Sequence, residues 1–339
     1  MKQTADQSLN VNRALWFAIA FSFAFVGLIW LTGTLWLDPP EFAPKQRAAI
    51  LARMWYPWQL AEPTFWSRAS AWIAYGLHQV AIWYLIWRAQ TGGYKYSSNL
   101  HWFNVAALIT NAVFISLHLV QTHIWYDGLA QDVPEFTSQA SVVLMLVGIL
   151  IIENQRRGMF FGAKVPIAKS ATRAVRKYHG YYFAWAILYT FWYHPMDITG
   201  GHLLGFLYMF LLMLQGSLFF TRVHVNPRWT IVLEVSVVAH GVMVAILAHH
   251  EWPRFFAGFL GMFVITQMHG IGLSKATRWI LGSLYVGAVA LAYTQTKGLM
   301  YAYEAALIPL VEFILVAIIS ALVWLLARAF SAGRPQAAA

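Results

Sequence analysis

The sequence contains no cysteine, and this absence excludes several kinds of chemistry at once. Disulfide bridges, thiolate metal sites, Fe–S clusters and cysteine nucleophiles all require a thiol group. Histidine and the carboxylates are therefore the only strong metal ligands that the chain can offer. With 12 histidines, it has a large supply of the first of these.

Charged residues are also scarce, since they make up 11% of the 339 residues while 60% are hydrophobic. In an average soluble domain about a quarter of the residues are charged. Long apolar runs recur along the chain, each near the roughly 20 residues that cross about 30 Å of hydrocarbon as a helix. We therefore predict an all-α, polytopic transmembrane helix bundle.

Ten apolar stretches fit this pattern and predict ten spans in one integral membrane domain, 1–339. They run over 13–36, 66–89, 102–125, 136–154, 176–194, 201–221, 229–249, 253–273, 277–295 and 303–328. The segment 41–65 is not predicted to span. Its portion 45–58 is predicted to be an amphipathic helix that lies in the membrane interface and contacts lipid, anchored by Trp55, Tyr56 and Trp58.

Tryptophans near the ends of the spans are expected to form belts at the two membrane interfaces. They are Trp30, Trp36, Trp66, Trp87, Trp125, Trp192, Trp229 and Trp252.

The charges in the loops predict the orientation of the spans. The loop 156–177 carries seven basic residues and no acidic residue, so it is expected on the cytoplasmic side. The loop after the third span holds Asp127, Asp132 and Glu135 without a basic residue, so it is expected outside. Alternation then gives two cytoplasmic termini, in a protein of the bacterial inner (plasma) membrane. Since the +10 net charge lies in short loops, nucleic-acid binding is not expected.

The histidines separate by depth on this topology. Those expected at the outer side are His123, His194, His202, His249 and His250, and those expected at the inner side are His101, His179, His224 and His269. His78 and His240 fall near the middle of the membrane, with His118 further out. Ionisable groups inside a membrane are costly and are functional candidates. Neutral imidazoles that bond between helices are the alternative interpretation.

A polar stripe follows the third span. His101, Asn104, Asn111, His118 and Thr122 are spaced by three, four and seven residues, which places them on one helical face. Lipid offers no hydrogen-bond partners, so this face must meet other helices or an internal cavity. The stripe predicts either interhelical hydrogen bonds or the wall of a pathway or cofactor site.

Histidines at both ends of the fifth span suggest a haem site. His179 and His194 are separated by about 22 Å of helical rise, so one helix offers an imidazole to each leaflet. The seventh span carries His240, followed by His249 and His250. Neutral imidazoles from two helices on opposite faces of a porphyrin are the arrangement that bis-histidine haem requires.

The stretch 176–250 resembles the core of the ferric-reductase-like and b561-like membrane cytochromes. The matching text is RKYHGYYFAWAILYTFWYH, then GGHLLGFLYMFLLMLQGSLFFTR, then RWTIVLEVSVVAHGVMVAILAHH. The resemblance implies that His179 and His194 are axial ligands of haem b on one helix. It implies that His240 and either His249 or His250 are ligands on the other, with a membrane or external electron donor or acceptor as partner. Because His240 and His250 are only ten residues apart, one outer haem is easier to build than two.

A second set of outer residues predicts a different metal. It comprises His118, His123, Asp127, His194, Asp197, His202 and His250. Imidazoles with carboxylates and no thiols suit zinc or non-haem iron. This composition favours a metal-dependent enzyme that acts on a lipid, as a hydrolase, desaturase or hydroxylase.

Acidic residues inside the predicted spans keep a third function open. Glu312 follows Pro309 in the last span, and Glu234 lies in the seventh. Glu312 is expected to titrate within the membrane or to bond across helices, which is compatible with an ion or small-molecule transporter. We expect a membrane redox protein or metalloprotein with a His-rich site in the outer half of the bilayer. The sequence assigns no catalytic residue.

Overall fold

The computed structural model describes residues 9–38, 40–44, 56–247 and 252–332. Within these residues the chain is all-helical and contains no strand; four isolated β-bridges join loops. The all-α class predicted from the apolar runs is therefore confirmed. Most of the predicted interfacial helix, at 45–55, lies outside the described residues. Tyr56 is not helical, and 57–58 is a turn.

Ten α-helices lie in this part of the chain, and each overlaps one predicted apolar stretch. They are α1 Val11–Trp36, α2 Phe65–Thr91, α3 Trp102–Trp125, α4 Glu135–Arg157, α5 Lys169–Tyr193, α6 Gly200–Ser217, α7 Pro227–Leu247, α8 Trp252–Ile265, α9 Lys275–Thr294 and α10 Leu307–Ala332. Short 3₁₀ helices cover Leu129–Gln131, Gln267–His269 and Leu299–Ala306.

Six helical segments are long and apolar enough to cross a membrane, which identifies an integral, multi-pass membrane protein. They are Val11–Trp36, Trp102–Trp125, Glu135–Arg157, Gly200–Ser217, Pro227–Leu247 and Leu299–Ala329. Helix α8 has only 14 residues and rises about 21 Å at 1.5 Å per residue, less than the hydrocarbon thickness. Large apolar side chains such as Trp16 and Phe17 are 69% and 76% exposed, as expected of a surface that faces lipid.

The predicted basic loop at 156–177 is shorter in the structure than in the prediction. Helix α4 continues to Arg157 and α5 begins at Lys169, so the connecting segment is 158–168. Lysine and arginine are good helix formers, and a helix can extend past the hydrocarbon where its residues become basic. The apolar pattern marks where the membrane ends, and the helix continues beyond that point.

Two of the tryptophans expected in an interfacial belt are instead buried in the core. Trp192 is 0% and Trp229 8% exposed, and their indole N–H groups donate to His78 Nδ1 at 3.2 Å and to Gln215 Oε1 at 2.8 Å. The belt interpretation is therefore wrong for these two. It fits Trp36, which is 70% exposed at the end of α1.

The chain divides into two compact units, each made of two separate segments. The first unit comprises Met1–Val142 and Gly180–Leu233, and the second comprises Val143–His179 and Glu234–Ala339. The divisions fall inside α4, α5 and α7, where no loop or change of composition marks them in the sequence.

Helices α1, α2, α3 and α6 form the packing of the first unit. Helix α3 packs against α2 and α6, and α6 also packs against α1. Backbone hydrogen bonds close one end of this unit: Leu100 N donates to Leu9 O at 3.0 Å, and Val11 N donates to Ser98 O at 3.1 Å. Ser97 in turn bonds through its N–H to Phe220 O at 3.0 Å. The beginning of α1 is thereby tied to the α2–α3 loop, and that loop is tied to the end of α6.

Helix α8 is central to the second unit, where it packs against α9, α10 and the 3₁₀ segment Leu299–Ala306. Glycine makes this packing close. A Cβ at Gly258 would lie 2.6 Å from Ile308 Cδ1, and one at Gly261 would lie 2.9 Å from Tyr285 Oη. Small residues that let helices approach are typical of packing in membranes.

Candidate functional site

The polar stripe of α3 makes interhelical hydrogen bonds, as one of its two predicted interpretations required. Asn104 is fully buried, and its amide donates to the carbonyl oxygens of Ser217 and Phe219, both at 2.8 Å. Asn111 donates to Ser217 Oγ at 2.9 Å. Near the C-terminal end of α3, Thr122 Oγ1 accepts from the N–H of Met196 at 2.9 Å. The stripe holds α3 against α6 and against the segment that follows α5.

Hydrogen-bond partners on both ring nitrogens of His78 determine its tautomer and its charge. Trp192 Nε1 can only donate, and it donates to His78 Nδ1 at 3.2 Å. His78 Nε2 must then carry the proton, and it donates to Asn111 Oδ1 at 2.8 Å. A second proton on the ring would face the Trp192 N–H, so His78 is held neutral. This buried histidine contributes to packing, and both of its nitrogens have hydrogen-bond partners.

Hydrogen bonds to both ring nitrogens also hold His118, but its partner Gln121 is compatible with either a neutral or a protonated imidazole. Its Nε2 donates to the carbonyl oxygen of His194 at 2.8 Å, and its Nδ1 lies 3.1 Å from Gln121 Oε1. The Gln121 amide also contacts Asp127 O at 3.2 Å. A protonated imidazole donates to Gln121 Oε1, whereas a neutral one accepts from the amide after it rotates. Gln121 can therefore accommodate either charge state.

A buried phenol joins two of the histidines that were predicted at the outer side. Tyr56 is 3% exposed, and its hydroxyl makes a short hydrogen bond with His194 Nδ1 and lies 3.1 Å from His202 Nε2. The other nitrogen of His202, Nδ1, bonds to Thr199 Oγ1 at 2.7 Å. We call these four residues, Tyr56, His194, Thr199 and His202, the Tyr56 cluster. Burial raises the pKa of Tyr56 well above its ordinary value, so the phenol remains protonated and able to donate.

A second phenol lies next to this cluster and binds an acid. Tyr126 donates a short hydrogen bond to Asp197 Oδ2, while Asp197 Oδ1 accepts from the N–H of Thr199 at 3.0 Å. Burial, reinforced by Asp197, raises the pKa of Tyr126 above its ordinary value. The carboxylate of Asp197 thus positions Thr199, which in turn holds His202.

Asp127 is buried just after α3 with half of its carboxylate unsatisfied. Its Oδ1 accepts from the N–H of Gly128 at 2.8 Å, but Oδ2 has no hydrogen-bond partner in the described part of the chain. Burial raises the pKa of Asp127 to about 6, although Ser67, Gly128 and Arg68 act in the opposite direction. The group therefore changes charge near neutral pH.

The fold brings six of the seven predicted non-haem metal residues, all except His250, to the end of the first unit where α3 and α5 finish. The imidazoles of His118 and His202 bond through both nitrogens. His123 bonds through Nδ1 to Leu119 O at 2.9 Å, and its Nε2 is buried without a described partner. No group of three or more His, Asp or Glu side chains is placed to hold a metal among the described residues. His250 lies outside those residues.

The predicted haem ligands are described only in part. His194 follows the last residue of α5 and bonds through Nδ1 to Tyr56. His179, on the same helix, lies with its Nδ1 2.6 Å from Arg176 O. His240 is on α7, and His249 and His250 lie outside the described residues.

Reasoning from the sequence missed Tyr56 and Thr199. Tyr56 was expected to anchor the interface, because it lies among other aromatic residues in a segment that does not span. The described ends of this segment fold back instead, with Ala43 N bonded to Gln59 O at 2.8 Å and Gln59 Nε2 to Ala130 O at 2.7 Å. The sequence of this segment has no periodic pattern that would predict that it folds back. Thr199, before Gly200-Gly201, carries the ordinary signal of a helix N-cap and accepts from the N–H of His202.

Comparison with protein-family models, with curated proteins and with solved structures finds no significant match.

Proposed function

We propose that ten helical segments cross the inner membrane of a bacterium and that both ends of the chain are cytoplasmic. The short helix α8 would cross together with the 3₁₀ helix Gln267–His269 that follows it. The positions of basic residues support this topology, because Lys95, the segment 156–177, Arg222 and Lys275 lie at or beside the four connections that it places inside. Three of the helices that fall outside the apolar criterion have 27, 25 and 20 residues, enough to cross about 30 Å at 1.5 Å per residue.

We further propose that the protein is a membrane redox protein, with a b-type haem at the outer end of α5 and His194 as one axial ligand. One observation carries this proposal: Nδ1 of His194 is bonded to the hydroxyl oxygen of Tyr56. A histidine that binds a metal through one nitrogen almost always gives its other nitrogen to an oxygen. By accepting from His194 Nδ1–H, Tyr56 would fix the ring of His194 for ligation through Nε2.

The other predicted ligands are assigned by the same criterion and by the resemblance. His179 has its Nδ1 on the carbonyl oxygen of Arg176, which leaves the lone pair on Nε2. His240 would be its partner, and His250 or His249 the partner of His194. A haem in this position would supply reversible one-electron transfer with a membrane or external donor or acceptor.

The Tyr56 cluster would compensate the change of charge that electron transfer brings. With His194 as a ligand through Nε2, its Nδ1–H would donate to the oxygen of Tyr56, Tyr56 would donate to His202 Nε2, and His202 Nδ1 would donate to Thr199 Oγ1. Each of these bonds can reverse its direction, so a proton can shift along the row without a change of position of any heavy atom. This route begins beside Asp197 and ends at the candidate ligand.

The absorption spectrum of the detergent-purified protein tests the haem proposal. We expect a Soret band that sharpens on reduction and is lost in His194→Ala. His123→Ala is the matched control and should retain the band, because it removes an outer imidazole that this proposal does not use. A colourless wild-type protein expressed with an adequate supply of haem would refute the proposal.

One observation favours a non-haem metal enzyme as the second candidate. Two buried ligand atoms near the end of α3, His123 Nε2 and Asp127 Oδ2, have no partner within the described residues. Zinc or iron held there would act on a lipid. Stoichiometric metal that is lost in His123→Ala and in Asp127→Ala, but retained in His179→Ala, would support this candidate.

A further inference from the structure

The second unit contains a small internal cavity with charged groups in its wall. It has a volume of about 30 Å³ and is lined by residues of α4, α7, α8 and α10 together with Gln267. A space of this size accepts roughly two water molecules. Three ionisable side chains line it, Arg157, Glu234 and Glu312, and all three are buried.

Arg157 and Glu234 form a buried ion pair across the cavity wall. One nitrogen of Arg157, Nη1, bonds both carboxylate oxygens of Glu234, at 3.0 and 2.7 Å. A guanidinium carries five N–H donors, of which Nη1 holds two. Its Nε and Nη2 atoms are buried without a hydrogen-bond partner in the described chain. The arginine is thus held by one acid and keeps three donors for another acceptor.

Glu312 is the second acid in this cavity. It is 3% exposed, and its Oε2 atom has no partner within the described residues. The charged groups that line the cavity with it are Arg157 from α4 and Glu234 from α7, whereas α8 contributes only the apolar Phe259 and Met262. An ionised Glu312 would give the cavity a net negative charge, since the ion pair is neutral. An uncompensated charge in such surroundings is strongly unfavourable.

We propose that Glu312 is a proton-binding site inside the second unit, and that Arg157 changes partner with its charge. With a proton on Glu312, Arg157 pairs with Glu234 alone, as in the structure. When the proton leaves, the carboxylate of Glu312 accepts from the unused Nε and Nη2 donors of Arg157. The guanidinium is then shared between two carboxylates, and α4, α7 and α10 are drawn together at the cavity.

Infrared difference spectroscopy of the full-length protein in lipid nanodiscs tests this site. We expect a carbonyl stretch of a protonated carboxyl that disappears as the pH is raised. Glu312→Gln should abolish the band. Glu153→Gln is the matched control and should retain it, since Glu153 pairs with Arg156 and is not in the cavity wall. Thermal unfolding of both variants shows whether they remain folded.

The exchange of partners has its own test. In Glu234→Gln, Arg157 has only Glu312 to pair with, so the band should disappear at a lower pH than in the wild type. An unchanged titration would refute the exchange. A band that persists in Glu312→Gln, or a wild-type protein with no protonated carboxyl at mildly acidic pH, would refute the proton site. Release of the proton by sodium or potassium ions at constant pH would instead identify a site for alkali cations.

This proposal does not depend on haem or on the Tyr56 cluster, because every residue in it belongs to the second unit. The infrared band concerns a carboxyl and the absorption spectrum concerns a porphyrin, so failure of one proposal leaves the other intact.

Discussion

Trp192 can only donate a hydrogen bond, and this property determines which nitrogen of His78 carries a proton. The indole meets Nδ1 at 3.2 Å, so the ring proton must be on Nε2, toward Asn111. The resulting row of bonds continues from Asn111 to Ser217 and from Ser217 to the carbonyl of Met213. Every donor in the row has an acceptor, which explains how the helix bundle tolerates these buried polar groups.

Replacement of Trp192 by Phe should therefore destabilise the protein. The variant leaves His78 Nδ1 buried without a donor, and an unsatisfied buried polar group costs about 1–3 kcal/mol. Thermal unfolding in detergent measures the effect. Trp36→Phe, at a side chain that is 70% exposed, is the control and should change stability by less than about 0.5 kcal/mol. Equal effects in both variants would contradict the role assigned to Trp192.

Asp127 should make the folded protein less stable as the pH rises. Its folded pKa of about 6 lies above the ordinary 3.8, so the native state binds more protons than the unfolded state between these values. The contribution of Asp127 to stability is therefore largest below about pH 4 and falls until about pH 6, by on the order of 3 kcal/mol. Asp127→Asn should remove this loss and be the more stable protein at pH 7. Parallel pH profiles of the two proteins would contradict the prediction.

At the residue scale, the sequence predicted which polar side chains lie together when they belong to one helix, because helical spacing determines which residues share a face. The α3 stripe is such a case, because Asn104, Asn111 and Thr122 share a face whatever they meet. Tyr56 is the opposite case. It lies 138 positions from His194 and 146 from His202 in the sequence. Both contacts form because the segment between α1 and α2 folds back on the first unit without forming a helix at Tyr56. Nothing local distinguishes this tyrosine from its aromatic neighbours.

At the scale of helices, hydropathy located all ten of them but not all of their ends. The apolar pattern indicates which residues lie in the hydrocarbon and not where a helix ends. Helix α5 begins seven residues before the predicted start, because its first two turns are rich in basic residues and were not counted as apolar. Hydropathy also cannot tell a tryptophan at the interface from one in the core, since both lie on apolar helices. Trp192 and Trp229 were misplaced for that reason.

Contact between α8 and α10 depends on Gly258. A Cβ there would lie 2.6 Å from Ile308 Cδ1 and 2.8 Å from its Cβ, so Gly258→Ala should cost about 1–3 kcal/mol through overpacking. Gly282→Ala on α9 is the matched control, because no atom lies within 4 Å of the added methyl group. A differential scanning measurement in detergent compares the two. If Gly258→Ala were as stable as Gly282→Ala, the helices would not be in the contact described.

On the scale of the whole molecule, the absence of cysteine makes the proposed topology directly testable. Single cysteines at Ser98 and Ala163 should be protected from a membrane-impermeant maleimide added to intact cells. Those at Glu62 and Gln295 should be labelled, and all four positions are exposed. The wild-type protein, which has no cysteine, is the negative control for labelling. Labelling of Ala163→Cys in intact cells would overturn the placement of the basic loop.

The division into two units was not predicted, because each unit combines segments that are far apart in the sequence. A boundary inside a continuous helix leaves no linker and no shift in composition. Only pairings such as Arg157 with Glu234, 77 positions apart, identify which residues belong together. Such pairings depend on three-dimensional packing and not on any local pattern.

The discontinuous first unit has a consequence for biosynthesis. Asn104 and Asn111 leave the ribosome 113 and 106 residues before Ser217, and they donate to its carbonyl and hydroxyl oxygens, respectively. The start of α1 bonds to the α2–α3 loop, and that loop can bond to Phe220 only after Phe220 has been synthesised. Helix α3 therefore enters the bilayer with its amides unsatisfied and remains so while three further helices are translated. The insertion machinery must shelter it over that interval, and a stall in translation between α3 and α6 should expose the nascent chain to membrane proteolysis.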